Sequence, residues 1–323
     1  MANEAAENSG RHDLTPGRVV RHDGVAVLVA TSSGTHQRPV MASVAPVPVV
    51  GDWVMVTDDA VLATLERRSL LRRRDPMRDV EQPIVANIDT VLVVCGLDRP
   101  VKPGRTQRAV ALAGDAGAEP IVVLTKADRS DDAKGEAGRV EGATMGVEVL
   151  ICSALTGEGI VGLRERCADR TLVLIGESGA GKSRLANVLV GDDVAAVGAV
   201  RKGDAKGRHT TTARQLHVLP SGGVLIDTPG IRSIGLWTDA AAVSVAFDDI
   251  ETLALDCRFS DCAHTGEPGC AVQASVDRGD LPPDRLATWH ILTAEADASE
   301  IRAEESAQRA AAGRPGRRGR RRR

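Results

Sequence analysis

Short apolar runs separated by turn residues recur along the first part of the chain. Five of them fit the two-residue period of β-strands, and no helical periodicity interrupts them. The predicted strands cover residues 17–20, 25–30, 38–42, 52–57 and 60–65. Short strands at this spacing favour a small barrel such as an OB-fold, which we predict for residues 15–80 after a disordered segment at 1–14.

Longer apolar runs then alternate with helical patterns, which is typical of a mainly parallel sheet between helices. Buried strands are predicted at residues 90–94, 121–124, 147–152, 172–175 and 224–226. We assign residues 83–238 to this α/β unit and residues 239–300 to a mostly helical unit. From Ala294 onward Ala, Glu and Arg favour a helix that frays from Gly313 on. The domain assignment places an Arg-rich disordered tail at residues 301–323. The predicted fold class is multidomain α/β.

Charge is unevenly distributed along the chain. The net charge is −3, but residues 301–323 contain nine arginines and two glutamates, so this tail carries +7 and the remainder about −10. A basic tail on an acidic body favours an acidic partner such as RNA. No stretch approaches the ~18 apolar residues of a membrane span, so we expect a cytoplasmic protein with no membrane contact. Six cysteines favour metal binding and free thiols over a disulfide framework.

A phosphate-binding loop is predicted between the strand at 172–175 and the helix that follows. It matches G-x4-G-K-[ST] and consists of Gly176, Glu177, Ser178, Gly179, Ala180, Gly181, Lys182 and Ser183. Glycines let backbone N–H groups converge on phosphate oxygens at the positive end of a helix. Lys182 is expected to reach the β- and γ-phosphates, and the Ser183 hydroxyl to ligate Mg²⁺. A glycine turn used only for packing is the alternative, but strand, lysine and serine together favour a nucleotide.

Two motifs at the ends of further strands indicate guanine as the base. Thr125, Lys126 and Asp128 follow the strand at 121–124 in the pattern [NT]-K-x-D. The Asp128 carboxylate can accept two hydrogen bonds from the Watson–Crick edge of guanine, which adenine cannot supply. After the strand at 147–152, a backbone N–H of the loop at Ser153 and Ala154 is expected to meet the guanine O6. The C-terminal strand edge is where ligands bind in open α/β sheets.

The predicted magnesium ligands and switches lie on either side of two short strands, which are predicted at residues 214–219 and 224–226. Asp227 follows the strand at 224–226 and begins the motif that ends at Gly230. Switch I is predicted at the threonines that precede residue 214, any one of which could ligate Mg²⁺: Thr210, Thr211 and Thr212. Ile231 stands where signalling GTPases often carry a water-orienting glutamine, so His209 is a candidate for that role, with simple exposure as the alternative. The catalytic candidates are Lys182, Thr211 and His209.

The order of these motifs is unusual. The two base-recognition motifs, at 125–128 and 153–155, precede the phosphate loop, whereas ordinary GTPases place them last. The chain is therefore predicted to be a circularly permuted GTPase. Permutation ties whatever follows Gly230 directly to a nucleotide-sensing element.

A zinc site is predicted in the helical unit. Its four candidate ligands lie within fourteen residues and are Cys257, Cys262, His264 and Cys270. Three thiolates and one imidazole complete a tetrahedral site without an open position, so we expect one structural Zn²⁺ per chain. The other cysteines, Cys95, Cys152 and Cys167, are predicted to pack in apolar segments.

The barrel carries an arginine cluster but a single aromatic residue. Trp53 alone makes base stacking a poor mode of nucleic-acid binding. The cluster comprises Arg67, Arg68, Arg72, Arg73 and Arg74. It could bind phosphates by charge, or it could be a solvated basic face.

Taken together, these motifs resemble the ribosome small-subunit-dependent GTPase A family (RsgA, or YjeQ-type) over about residues 15–300. The resemblance rests on the permuted order, the run at 207–212, the motif at 227–230 and the Cys3His spacing. It implies an N-terminal OB-fold, a permuted GTPase and a C-terminal zinc domain, with GTP and GDP as ligands. It also implies action late in 30S subunit maturation, stimulation by that subunit and contact with its rRNA. We further expect a monomer.

Two departures from the family pattern affect the expected chemistry. Thr125 replaces the asparagine of many GTPases, which weakens the expected contact with the base loop. Gly179 stands where potassium-activated relatives carry asparagine, so potassium dependence is not predicted.

Three hypotheses follow. The first is a GTP-hydrolysing enzyme that acts on the maturing small ribosomal subunit. The second is a zinc- and arginine-dependent RNA-binding module whose nucleotide site only gates binding. The third is a permuted P-loop ATPase or kinase, against which Asp128 argues.

Overall fold

The computed structural model describes residues 14–24, 26–74, 81–191, 214–228, 243–244 and 246–312. The strands in these ranges are β1 (Thr15–His22), β2 (Ala26–Thr31), β3 (Gly34–Pro39), β4 (Trp53–Val56), β5 (Val61–Thr64), β6 (Leu70–Arg74), β7 (Glu81–Ala86), β8 (Thr90–Gly96), β9 (Glu119–Thr125), β10 (Val149–Ile151), β11 (Thr171–Gly176), β12 (Gln215–Val218) and β13 (Val224–Asp227). The α-helices are α1 (Pro103–Asp115), α2 (Ala133–Ala143), α3 (Ile160–Arg166), α4 (Lys182–Val190), α5 (Asp248–Ala254), α6 (Ala271–Arg278) and α7 (Pro283–Ala312). A short 3-10 helix, Ala127–Arg129, follows β9.

The central sheet has the order β10-β9-β8-β11-β13-β12. Its first five strands run parallel, and only β12 is antiparallel to its neighbour β13. All six residues of β11 are buried, because helices cover both faces. Alternate residues enter two separate core clusters: Val93 and Val173 pack on one face, Leu92 and Leu172 on the other. The predicted mainly parallel sheet is confirmed.

Strands β1 to β5 form the predicted N-terminal barrel. β1 pairs with both β2 and β4, β2 pairs with β3, and β4 pairs with β5. A parallel bridge between Val40 and Val61 closes the ring. Its core consists of valines at alternating positions: Val19, Val27, Val29, Val54, Val56 and Val61. The third strand begins at Gly34 rather than at the predicted residue 38, because its first residues are polar and exposed.

The barrel is joined to the central sheet. Arg21 of β1 pairs with Gln215 of β12, so the barrel continues the sheet beyond β12. The Arg18 guanidinium donates to the carbonyl oxygens of Gly51 and Asn87 and to the Thr171 hydroxyl at 2.9 Å. One side chain thus contacts the barrel, the segment before β8 and the first residue of β11.

An antiparallel hairpin of β6 and β7 links the barrel to the sheet, and the sequence pattern did not predict it. Three successive arginines, 72–74, concealed the strand alternation of β6. The hairpin and the turn before it give most of the arginine cluster protein partners. Arg67 pairs with the fully buried Asp52 at 2.8 Å, and Arg72 pairs with Asp115 at 3.0 Å. The cluster is therefore neither a free phosphate-binding patch nor a purely solvated face.

The C-terminal helices pack around their own core. Phe247, Ile250 and Val272 lie at its centre, and Ala111 of α1 belongs to the same cluster. Arg285 is buried, pairs with Asp249 and lies 4.5 Å from the centroid of the Phe247 ring. Helix α7 begins at Pro283 and includes residues 301–312, so the disordered tail predicted for 301–323 starts too early. The Ala- and Glu-rich composition of 301–312 sustains the helix.

Two expectations from composition concern the membrane and the thiols. Every helix within the described ranges is too short or too polar to cross a bilayer. Cys152 and Cys167 are buried and Cys95 is half-buried, as packing residues should be. Burial raises the pKa of both Cys152 and Cys167 to about 11, which keeps these thiols protonated and unreactive.

Candidate nucleotide site and metal centre

The phosphate loop lies where β11 meets α4. Gly176 ends the strand with φ +143°, and a Cβ there would lie 2.2 Å from the carbonyl oxygen of Val94. Gly181, at φ +96°, precedes the first helical residue, Lys182. Only glycine fits the close strand contact at 176 and favours the left-handed backbone at 181. The sequence thus forms the strand–loop–helix arrangement that the motif predicts.

Lys182 lies over its own loop. Its Nζ donates to the carbonyl oxygens of Gly176 at 2.7 Å and Glu177 at 2.6 Å. Ser183 follows in the first turn of α4 and is exposed. The ammonium group therefore lies at the mouth of the loop, from which phosphate oxygens could draw it.

The loop after β9 is bonded directly to the phosphate loop. Thr125 is buried, and its hydroxyl donates to the carbonyl oxygen of Ala180. Lys126 adopts a left-handed backbone (φ +60°), and its Nζ donates to Gly179 O at 2.6 Å. Asp128 is exposed, which leaves its carboxylate accessible to a ligand. The Thr125 contact shows that threonine at this position joins the two loops.

The loop after β10 completes the predicted base-recognition region. The Ser153 hydroxyl donates to Asp128 Oδ1 and accepts from the backbone N–H groups of Leu155 and Thr156, each at 3.2 Å. Ser153 is fully buried and Ala154 half-buried. The structure therefore brings the predicted residues 125–128 and 153–154 together with the phosphate loop at one sheet edge.

Sequence reasoning missed Asp98 and Arg99, which follow β8 at the same edge. Asp98 Oδ2 accepts from Lys126 Nζ at 2.7 Å. This hydrogen bond is the largest influence on the carboxyl group and lowers the pKa of Asp98. Arg99 Nη2 donates to the carbonyl oxygen of Ser178 at 3.4 Å. Their position in the sequence could have identified them. They follow the predicted strand β8, and the C-terminal ends of the strands in an open α/β sheet form the ligand-binding edge.

Asp227 ends β13, the strand next to β11. Burial raises the pKa of Asp227, although the nearby His217 opposes that shift. The Ser183 hydroxyl at the start of α4 and the Asp227 carboxylate at the end of β13 are hard oxygen ligands of the kind that Mg²⁺ prefers, so their chemistry fits the ion. The other switch candidates, Gly230, His209 and Thr210–Thr212, lie outside the described residues.

The predicted metal ligands form a compact cluster. Ligand atoms of Cys257, Cys262, His264 and Cys270 all lie within 4.8 Å of one another. His264 Nδ1 is 3.6 Å from Cys257 Sγ and 3.5 Å from Cys270 Sγ, and the two sulfurs are 4.0 Å apart. Zn–S and Zn–N bonds of about 2.3 and 2.0 Å in a tetrahedron require ligand separations of roughly 3.5–3.8 Å. The cluster geometry therefore fits zinc.

Surrounding groups orient the ligands of the cluster. Backbone N–H groups of Ala271 and Gln273 donate to Cys257 Sγ and Cys270 Sγ, each at 3.3 Å. Glu267 accepts from the backbone N–H groups of Ala263 and Thr265 and so fixes the ligand loop. Hydrogen bonds from backbone N–H groups lower the pKa of Glu267 to about 2, and the largest contribution comes from the N–H group of Glu267 itself. Such outer contacts are typical of a structural metal site.

Comparison with known proteins identifies the family to which the chain belongs. A family model described as RsgA GTPase matches residues 64–237, which is more than half of the chain. The chain belongs to the RsgA GTPase family. It is accordingly a GTPase, and the resemblance inferred from the motifs is confirmed, which removes the ATPase or kinase hypothesis.

Relatives in the RsgA family cover most of the chain. A Streptomyces avermitilis protein named small ribosomal subunit biogenesis GTPase RsgA is 46% identical over 295 residues, which are 87% of this chain and 80% of the relative. A protein of the same name from Xanthomonas axonopodis pv. citri is 42% identical over 296 residues, covering 90% of this chain and 81% of the relative. Family membership therefore extends well beyond the residues of the GTPase model.

Solved structures in the family share the fold. YjeQ from Thermotoga maritima is 26% identical, with a TM-score of 0.66 over 88% of this chain and 98% of YjeQ. YloQ, described as a circularly permuted GTPase, is 21% identical with a TM-score of 0.64 over 90% of this chain and 98% of YloQ. The predicted circular permutation is confirmed.

Proposed function

We propose that this RsgA-family chain acts in biogenesis of the small ribosomal subunit by binding that subunit and hydrolysing GTP on it. The name shared by its relatives supports the process, and family membership supports the reaction. The observation that carries the nucleotide assignment is the direct bonding of the base-recognition loops to the phosphate loop. Thr125 and Lys126 contact Ala180 and Gly179, so base and phosphates would be recognised by one connected unit.

The phosphate end of the proposed site uses the loop backbone and Lys182. N–H groups of residues 176–181 would surround the β-phosphate, and Lys182 would exchange its two carbonyl partners for β- and γ-oxygens. Ser183, Asp227 and one of Thr210–Thr212 would hold Mg²⁺, which neutralises charge on the transferring phosphoryl group. His209 remains the candidate for orienting water, because residues 230–233 contain no glutamine or glutamate.

The base end of the proposed site uses Asp128. Its exposed carboxylate keeps Oδ2 for the guanine edge, while Oδ1 accepts from Ser153. A backbone N–H at Ser153 or Ala154 would meet the guanine O6. This arrangement would select GTP and GDP over adenine nucleotides, because adenine presents no matching pair of donors.

We assign the Cys3His cluster one structural Zn²⁺. The separations of 3.5, 3.6 and 4.0 Å between its ligand atoms support this assignment. Four protein ligands leave no open position for catalysis. Zinc would fix the loop between α5 and α6 and thereby the C-terminal core.

For the partner we favour contact with rRNA of the 30S subunit through exposed arginines, with the protein acting as a cytoplasmic monomer. The internal ion pairs of Arg67 and Arg72 leave the exposed Arg68 and the tail arginines as better candidates than the cluster as a whole. Neutralising phosphates with arginine is the sequence-independent part of RNA affinity.

The test compares hydrolysis of GTP and ATP by the purified protein with and without purified 30S subunits. We expect hydrolysis of GTP only, and faster turnover with subunits. Subunit binding without turnover would favour the RNA-binding module instead. GTP hydrolysis that ignores the subunit would overturn the proposed partner.

A further inference from the structure

A chain of alternating charges runs along the outside of the phosphate loop. Lys126 pairs with Asp98 at 2.7 Å, Asp98 with Arg99 at 3.7 Å, and Arg99 with Glu177 at 3.9 Å. Glu177 also pairs with Arg105 of α1. Both Lys126 and Arg99 donate to loop carbonyl groups, those of Gly179 and Ser178. The chain of charges therefore touches the loop at three successive residues, 177–179.

Glu177 is an unfavourable residue for a loop that binds phosphate. A carboxylate beside a polyphosphate repels it, and the repulsion grows with the number of phosphate charges. Here the carboxylate points out of the loop toward α1, where Arg105 and Arg99 neutralise it. The whole chain of charges has three cationic groups, on Lys126, Arg99 and Arg105. They face the two carboxylates of Asp98 and Glu177, which leaves one net positive charge beside the loop.

These groups lie at the edge of a cavity of about 560 Å³ between the end of β8, the start of α1 and the phosphate loop. The side chains of Arg99, Arg105 and Glu177 are 47%, 61% and 40% exposed. Because these side chains are exposed to solvent, their interactions are screened and each single ion pair contributes little free energy. Substitution of these residues should therefore change the ratio of GTP to GDP affinity and should leave the protein folded.

We propose that Arg99 and Arg105 are positioning and specificity-determining residues, which neutralise Glu177 so that the phosphate loop accepts the additional charge of a γ-phosphate. GTP carries more negative charge than GDP, and the phosphate loop contacts the β- and γ-phosphates. Loss of either arginine would leave Glu177 to repel GTP more than GDP. The inference rests on the proposed role of residues 176–182 in phosphate binding.

The experiment measures GTP and GDP dissociation constants for the full-length protein, four variants of Arg105 and Glu177, and one control variant. R105Q should weaken GTP binding by about fivefold and GDP binding by no more than about twofold, as expected for a partly screened charge. E177Q should raise the preference for GTP, and the double variant R105Q/E177Q should recover the GTP affinity that R105Q loses. R105K keeps the charge and should restore most of the GTP preference.

Arg108 provides the matched control. It lies one turn farther along α1 and lines the same cavity, but it pairs with Glu295 of α7 instead of Glu177. R108Q should therefore leave the ratio of GTP to GDP affinity unchanged. The preference lost in R105Q should also shrink at high salt, because salt screens exposed charges.

Two results would overturn the inference. One is an equal loss of GTP and GDP affinity in R105Q, which would mean that Arg105 only stiffens the loop. The other is a double variant no better than R105Q, which would mean that Glu177 is not the source of the repulsion. Failure of the wild-type protein to bind either nucleotide would instead contradict the phosphate-loop assignment itself.

Discussion

At the scale of single residues, the site depends on side chains that serve two loops at once. Thr125 belongs to the base-recognition motif, yet its hydroxyl donates to Ala180 of the phosphate loop. Ser153 orients the Asp128 carboxylate while its hydroxyl accepts two backbone N–H groups of its own loop. A substitution in the base-recognition loop should therefore also change the position of the phosphate loop.

Asp128→Asn should weaken GTP binding by about 10- to 100-fold, the range expected for a lost hydrogen bond to a charged group. The amide places a donor opposite the guanine N1–H, whereas xanthine reverses the requirement at C2, so preference should shift toward xanthosine triphosphate. Titration with both nucleotides measures the shift. Asp131→Asn, an exposed change three residues farther on, should leave GTP affinity unchanged. Equal GTP affinity in D128N and the wild type would remove this loop from the base site.

Ser183→Ala removes the proposed hydroxyl ligand of Mg²⁺. Hydrolysis should fall by at least about tenfold, because weakening a metal site by one contact commonly costs that much. GDP binding should survive in part, since the loop backbone and Lys182 remain. Single-turnover hydrolysis and GDP titration separate the two effects. Near-normal turnover would show that Ser183 is not a magnesium ligand.

Residue types and spacing predicted every motif in the described part of the site, but not the residues between the motifs. Asp98 and Arg99 lie after β8 without a motif of their own, so only the sheet order reveals that they face Lys126 and Ser178. The charge of Glu177 was visible in the sequence, whereas its neutralisation by α1 was not. Such pairings depend on tertiary contacts that no local pattern encodes.

At the scale of elements, periodicity predicted the strongly apolar strands and missed the hairpin of β6 and β7. β8, β9 and β11 are buried on both faces, and their continuous apolar runs were sufficient. β6 contains three arginines, which hide its strand pattern. Helix α7 starts at Pro283, eleven residues before the Ala294 from which its Ala- and Glu-rich composition predicts a helix. Trp289 in that earlier part of α7 packs against His264, with ring centroids 5.2 Å apart. The early helix thus supports the metal cluster.

The metal cluster should bind one zinc ion per chain, and its removal should loosen the C-terminal core first. Folding of a small metal-binding unit is usually coupled to its metal. Metal analysis under reducing conditions checks the stoichiometry, and hydrogen exchange before and after chelation locates the loosened region. Cys262→Ser should lower the zinc content, while Cys95→Ala, outside the cluster, should retain it. Purified protein without zinc would contradict the assignment.

At the scale of the whole molecule, the barrel and the C-terminal core are tied to the nucleotide-binding unit through different elements. The barrel joins through the pairing of β1 with β12. The C-terminal core joins through α1, whose Ala111 belongs to the same core cluster as Phe247 and whose Arg108 pairs with Glu295 of α7. The same helix carries Arg105, which pairs with Glu177 of the phosphate loop. Neither junction was predicted, because the sequence divides into units without showing which surfaces meet.

Binding to the small subunit should depend steeply on salt, and part of that dependence should come from the tail. Arginines that neutralise phosphates release condensed counterions, so affinity falls as salt rises. Deleting residues 314–323 removes seven arginines and should flatten the dependence of affinity on salt. Intrinsic GTP hydrolysis should be unchanged, and stimulation by the subunit should survive at low salt.

Two replacement variants test whether the tail contributes through its charge. Lysine in place of all seven arginines of residues 314–323 keeps the charge and should keep the salt slope, whereas serine at the same positions should reproduce the deletion. Titration of each protein against purified 30S subunits at several salt concentrations gives the slopes. Because log affinity falls by roughly 0.7–0.9 per phosphate contact for each tenfold rise in salt, even two or three lost contacts would be measurable. Identical slopes for full-length and truncated proteins would mean that the tail makes no contact with the RNA, and the salt dependence would then belong to the exposed arginines of the folded units.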